Sequence, residues 1–172
     1  MSDWASILSE HGATVWRTAY RLLNDHEDAL DCYQETFLAA WRLAQRQPVV
    51  AWHALLVRLA TRRALDRLRQ RLRMRARFTA LDGVLEPATD AGCPLRQAAA
   101  AELLDRVRQA LARLPQKQAE VFWLSCMEGL SHQCVAERLG VSLGTVRVLL
   151  HRARARLGAL LNLNRINETE KP

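Results

Sequence analysis

Apolar side chains recur at three- and four-residue intervals along almost the whole of this 172-residue chain, and no stretch alternates with the period of two that a half-buried strand requires. With only 7 Gly and 5 Pro, little interrupts that spacing, so the expected fold is all-α. An apolar content of 49% supplies a core for one ordinary domain or two small ones.

The spacing predicts a first helix from Trp4 to Leu23, with Ile7, Leu8, Val15, Trp16, Ala19, Leu22 and Leu23 on one face and an interruption at Gly12. Asn24-Asp25-His26 reads as a turn that caps a second helix, about Glu27 to Gln45, carrying Leu30, Tyr33, Phe37, Leu38 and Trp41 and closed by Pro48. A third runs from near Val50 towards Arg75, burying Leu55, Leu56, Leu59 and Leu68. After Phe78 the pattern fails. Asp82, Gly83, Pro87, Thr89, Asp90, Gly92 and Pro94 mark a flexible acidic linker over residues 78–96 that divides two small helical domains, 1–77 and 97–161, with 162–172 as a tail.

Periodicity resumes at Ala98 with Leu103, Leu104, Val107, Leu111 and Leu114, and Pro115 breaks that helix or starts the next. From Gly129 to Leu157 the chain reads GLSHQCVAERLGVSLGTVRVLLHRARARL, which has the grammar of a helix-turn-helix. Ser131 caps one helix, small Ala136 permits close approach, Gly140 supplies the turn, Ser142 caps the second helix and Val146 anchors it. In such a unit the second helix enters the major groove by its N-terminus. Ser142, Leu143, Thr145, Arg147 and Val148 then lie near bases, while His151, Arg152 and Arg154 are placed for phosphates. A solvated arginine face would explain the charge alone, but not the cap, turn and anchors together.

Charge points the same way. The net charge is +7, and it is unevenly spread: over 47–77 Lys and Arg outnumber acids nine to one, and over 106–161 nine to three, whereas 1–46 and 78–105 are net acidic. Two basic blocks therefore alternate with two acidic ones.

Cys32, Cys93, Cys126 and Cys134 form no CxxC pair and are expected as reduced, buried or half-buried thiols; Cys126, His132 and Cys134 lack a fourth ligand for zinc, so no metal is expected. The N-terminus has neither the basic nor the apolar region of a signal peptide, and no apolar run approaches the ~20 residues that span a bilayer. The expectation is a cytoplasmic protein without membrane insertion. No Gly-rich phosphate loop, HExxH or nucleophile-base pair suggests an enzyme or a cofactor.

Two stretches, DHEDALDCYQETFLAAWR at 25–42 and ALARLPQKQAEVFWLSCMEGLSHQCVAERLGVSLGTVRVLLHRARARL at 110–157, with the arginine-rich helix between them, resemble the extracytoplasmic-function sigma factors of bacterial RNA polymerase. The resemblance implies an initiation subunit that docks on the clamp of the polymerase beta-prime subunit and on the beta flap, binds promoter DNA, and is held by an anti-sigma factor. It assigns clamp docking to the helix carrying Asp28, Asp31, Gln34, Glu35 and Trp41. Opening of the minus-ten element falls to Trp52, Arg58, Arg62, Arg63 and Arg67, with Arg69 beside them. The upstream, minus-thirty-five element falls to Ser142, Thr145, Arg147, Val148, His151, Arg152 and Arg154.

Physically, Asp28, Asp31 and Glu35 share a helix face suited to a basic partner. Phe37 and Trp41 are expected mainly as core residues, with a rim contact as the other reading. Trp52 is read either as a base-stacking group or as core, and the linker either as occupying a basic channel or as a plain tether.

Several positions depart from the family: Thr61-Arg62, Cys32-Tyr33, His132, and Val148-Leu149-Leu150 in the reading helix. The last removes two polar groups, so the relatives' minus-thirty-five preference is not carried over. A free-standing helix-turn-helix regulator is the main competing reading, and a decoy that binds an acidic regulatory protein is another. The acidic helix counts against the former, and the arginine helices against the latter.

Overall fold

A computed structural model describes the backbone of residues 3–81 and 96–169, and the side chains of 3–77 and 100–161. Among these residues seven α-helices follow in order: α1 (Trp4–Leu23), α2 (His26–Ala44), α3 (Trp52–Leu81), α4 (Arg96–Arg113), α5 (Gln116–Phe122), α6 (His132–Leu139) and α7 (Leu143–Thr169). A π-helical turn, Trp123–Met127, continues α5. The all-α expectation holds, and among the described residues there is no strand.

Local chemistry sets the helix ends. Asp3 Oδ1 accepts from the amides of Ala5 and Ser6, and Asp25 Oδ1 from that of Asp28 at 2.9 Å, so each of the first two helices has a carboxylate N-cap. Between them Asn24 takes the left-handed conformation (φ 50°), and its amide donates to Tyr20 O at 2.8 Å. Gly12 does not interrupt α1 as the spacing suggested. A Cβ there would lie 3.0 Å from Tyr33 Oη, so the glycine permits close approach of α2.

Helix α3 is longer than expected. It continues past Arg75 to Leu81, over the first positions of the expected linker, and Arg96 at the linker's other end opens α4. The linker residues 82–95, Cys93 among them, lie outside the described residues.

Packing joins the two halves of the chain. Ile7, Val15, Phe37, Ala40, Leu56 and Ala60 form one cluster among α1, α2 and α3. A second and larger core is shared. In it Ala19, Leu22, Leu23, Ala29 and Cys32 from α1 and α2 meet Ala64, Leu65 and Leu68 of α3. The same core contains Ala110, Leu111, Leu114, Ala119, Trp123, Ala153 and Leu157. The third cluster holds the helix-turn-helix together and includes Val57 of α3. Helix α3 is thus packed by residues from both halves.

Hydrogen bonds cross the same boundary. Arg21 donates to Met127 O at 2.8 Å and to Glu128 Oε1 at 3.4 Å, and Glu128 Oε1 also accepts from the buried Trp123 indole at 3.1 Å. Arg108 Nε donates to Arg21 O, Arg69 to Leu114 O, and Arg58 to Arg138 O, at 3.1, 3.1 and 3.3 Å. Burial holds the Arg108 guanidinium below its usual pKa, with Asp105 and Tyr20 opposing.

Two expectations about individual side chains are corrected. Phe37 is buried, but Trp41 is 47% exposed, because its position falls on the α2 face turned away from α1 and α3. Cys32 is buried, whereas Cys126 and Cys134 are exposed.

Leu65 has no exposed surface and contributes to the core that both halves share. Leu65→Ala is expected to lower the unfolding free energy by about 2–5 kcal/mol in urea denaturation. Burial pushes the Cys32 thiol up to about 11, against the lowering effect of its contact with Thr36. Mass-spectrometric alkylation at neutral pH should therefore label Cys126 and Cys134 readily and Cys32 only after unfolding.

Candidate nucleic-acid interface

Helices α6 and α7 are built as the spacing requires. Ser131 Oγ accepts from Cys134 N at 3.2 Å and starts α6; Gly140, at φ 63°, ends it, since a Cβ would strain that left-handed turn. Ser142 Oγ accepts from Thr145 N at 3.1 Å and starts α7. Val135, Ala136, Val146 and Leu150 are buried against Val121 and Leu124, with Leu130, Leu139, Val141 and Leu149 packed around them. This fixes the angle between the two helices and determines which side of α7 faces outward.

That outward side carries Ser142, Thr145, Arg147, Val148, His151, Arg152 and Arg154, all exposed. The expected set is therefore brought onto one surface. Within it the residues differ. The hydroxyls of Ser142 and Thr145 are 2.8 Å apart and hydrogen-bonded to each other, and Arg154 folds back to Cys126 Sγ at 3.7 Å. Arg147, His151 and Arg152 are the cationic or ionisable side chains left along the leading part of the helix.

The α3 arginines are arranged otherwise. Arg63, Arg67 and Arg71, four residues apart, form a column against α2. Arg63 pairs with Glu35 at 3.1 Å, and Arg67 with Asp31 at 3.0 Å and Asp28 at 3.3 Å. Arg71 pairs with Asp28 and with Asp25 at 3.4 Å, and donates to Leu23 O at 2.9 Å.

Of the residues expected at the minus-ten element, Arg63 and Arg67 thus face α2. Arg58 reaches α6, Arg62 is exposed, and Trp52 meets Trp4 edge-to-face at 5.1 Å. Nearby, His53 lies 5.8 Å from His11; burial chiefly, then Arg138 and His11, hold its pKa below the usual value.

The acidic residues Asp28, Asp31 and Glu35 are therefore engaged within the protein rather than standing as an unpaired face. What α2 presents outward is an apolar stripe: Leu30, Leu38 and Trp41 are 43%, 53% and 47% exposed, with exposed Gln34 among them. A shallow groove lined by Gly12, Ala13, Trp16, Arg17, Leu30 and Tyr33 adjoins it. Sequence reasoning named Gln34 and Trp41 but missed Leu30 and Leu38. The signal was their spacing of four and eight residues, on a face that the buried Ala29, Cys32, Thr36 and Ala40 do not share.

Among the described residues no group of three His, Cys, Asp or Glu side chains is placed to hold a metal, and no helix is long and apolar enough to cross a membrane.

Comparison with known proteins agrees with this architecture. Sigma-70 region 2 matches residues 7–74 and sigma-70 region 4 matches residues 104–157. The chain is 34% identical over 157 residues to the ECF RNA polymerase sigma factor SigE of Mycolicibacterium smegmatis, covering 91% of this chain and 61% of that protein's length. It is 33% identical over 158 residues to the ECF RNA polymerase sigma factor SigL of Mycobacterium tuberculosis, covering 86% and 82%. The solved structure of CnrH, from Cupriavidus metallidurans, in complex with the cytosolic domain of CnrY matches with a TM-score of 0.56 at 26% identity. That match covers 92% of this chain and 87% of that one.

If the outward side of α7 meets the phosphate backbone, Arg152→Ala should weaken binding of the full chain to duplex DNA roughly equally across sequences. It should also reduce the slope of log affinity against log salt by about one. Fluorescence anisotropy between roughly 50 and 200 mM salt reads both quantities.

Proposed function

The chain belongs to the extracytoplasmic-function sigma factors of RNA polymerase, and from that membership we propose that it binds core polymerase and directs it to initiate at particular promoters. In this reading it is not itself a catalyst: phosphodiester chemistry belongs to the core, and the chain supplies recognition in the cytoplasm, where transcription takes place. Residues 1–77 form the domain that engages the beta-prime clamp and the minus-ten element. Residues 97–161 form the domain that engages the upstream element and the beta flap, and 78–96 connect them.

The observation that carries this reading is the pairing, in one chain, of a capped helix-turn-helix with an exposed apolar stripe on a separate helix, α2. A free-standing helix-turn-helix regulator accounts for the first feature and leaves the second without a use. Aromatic and leucine side chains held half out of water are what a protein interface consumes. Leu30, Leu38 and Trp41, with Gln34 between them, therefore form the centre of the clamp-docking surface, and the half-exposed carboxylates of Asp31 and Glu35 its rim.

The closed packing of the two halves defines a step in this function. Arg58 and Arg69 bond to the C-terminal half, so their release towards promoter DNA requires the halves to part. Binding to polymerase and DNA offsets the cost of separating them. A protein that gripped both halves would oppose that parting. CnrH has been solved in complex with the cytosolic domain of CnrY, and an anti-sigma factor that holds both halves together is proposed here for this chain.

Leu38→Glu and Trp41→Ala change exposed positions and leave the fold intact. Each is expected to weaken binding to core polymerase about tenfold or more, while the salt-dependent DNA affinity of the isolated full chain stays unchanged. Biolayer interferometry with immobilised core measures the first and anisotropy the second; wild-type affinity for core in both variants would refute the assignment of the stripe.

A further inference from the structure

The leading part of α7 is unusual for a helix that meets base edges, because its centre is apolar. Ser142 and Thr145 have committed their hydroxyls to each other and to the helix start. Leu150 is buried and Leu149 packs on the cluster beneath. The outward residues of the first turns are thus Gly144, Thr145, Arg147 and Val148, followed by His151 and Arg152.

Val148 is 49% exposed and belongs to none of the apolar clusters. Gly144 precedes it by one turn, and apart from its chain neighbours and the helix backbone only Ser142 Oγ, at 3.8 Å, comes within 4 Å of a Cβ built there, so the helix is open on that side. A partner edge can therefore come close to the helix there and press on the Val148 methyl groups.

Among the groups that base pairs display in the major groove, the apolar one is the C5-methyl of thymine. A valine set against the cytosine amino group or the guanine O6 covers a polar atom without bonding it, which is unfavourable. Against thymine it removes two apolar surfaces from water together. Arg147 stands beside the valine on the same outward side, and His151 and Arg152 follow it there, placed for phosphates that would hold the helix in the groove.

We propose that Val148 is a specificity-determining residue that reads the 5-methyl group of a thymine in the upstream promoter element. The proposal rests on the reading of α7 as the promoter-recognition helix.

Holoenzyme assembled from core polymerase and the full chain would select from a duplex library randomised upstream of the start site. Each thymine of the selected upstream element would then be replaced, one at a time, by deoxyuridine, which pairs identically but lacks the methyl group. At one position the replacement should weaken binding about three- to fivefold, the factor expected for one methyl group returned to water. With Val148→Ala, binding to the thymine duplex should fall to the deoxyuridine level and the difference between the two duplexes should vanish. That substitution places a better helix former at an exposed site and so preserves the fold.

Wild-type binding indifferent to deoxyuridine at every position overturns the inference, as does a thymine preference that survives in Val148→Ala. Loss of core affinity in Val148→Ala with DNA selectivity unchanged also overturns it, and would assign the valine to a protein contact. Failure of the wild-type holoenzyme to enrich any sequence overturns the promoter reading itself, which separates the two failures.

Discussion

Everything in this molecule leans on α3, because two different surfaces of that helix need covering and separate parts of the chain cover them. Ala64, Leu65 and Leu68 enter a core to which α1, α2, α4, α5 and α7 all contribute, while Arg63, Arg67 and Arg71 stand against the carboxylates of α2. The two interactions differ in weight. Full burial of a leucine stabilises by roughly 1.5–3 kcal/mol, whereas a partly exposed ion pair contributes on the order of 0.2–1 kcal/mol. Burial therefore holds the helices together. The arginine column, whose four-residue spacing is met by Glu35, Asp31, Asp28 and Asp25 in reverse order along α2, sets their register.

The same division operates between the halves. Trp123, buried with its indole bonded to Glu128, supplies apolar area; Arg21, reaching Glu128 and Met127 O, adds direction at the surface of that contact. The two halves are held by an arrangement of a shared apolar core and a few guanidinium bonds at its edge. It is suited to being replaced by a larger partner, because each exposed arginine can exchange a carbonyl for a phosphate at modest cost. The chain thus engages Arg58, Arg63, Arg67, Arg69 and Arg71 of α3 within itself when free.

The two candidate surfaces also divide by chemistry. Helix α7 is bound to its own domain by Val146, Leu150, Ala153 and Leu157, which leaves its basic side for a polyanion. Helix α2 has its charged flank occupied by α3 and turns leucine and tryptophan outward. Both surfaces stand on helices held in place by packing on their inner sides, α2 against α1 and α3, and α7 against α4, α5 and α6.

What the sequence by itself determined is the local architecture: the helices with their caps at Asp25, Ser131 and Ser142, the left-handed turn at Gly140, and the inward side of the helix-turn-helix. These depend on contacts within four residues and on helical period, both of which a linear pattern carries. The tertiary structure alone decided which charges would be spent inside the protein. Arg63 and Glu35 are 28 residues apart, Arg69 and Leu114 are 45, and Arg21 and Glu128 are 107; no periodicity encodes such pairs. For the same reason the acidic face of α2 looked unpaired in the sequence when the α3 arginines engage it, and Trp41 looked internal when it lies half outside. Whether a side chain is buried follows from what packs against its helix, and that is a property of the assembled fold.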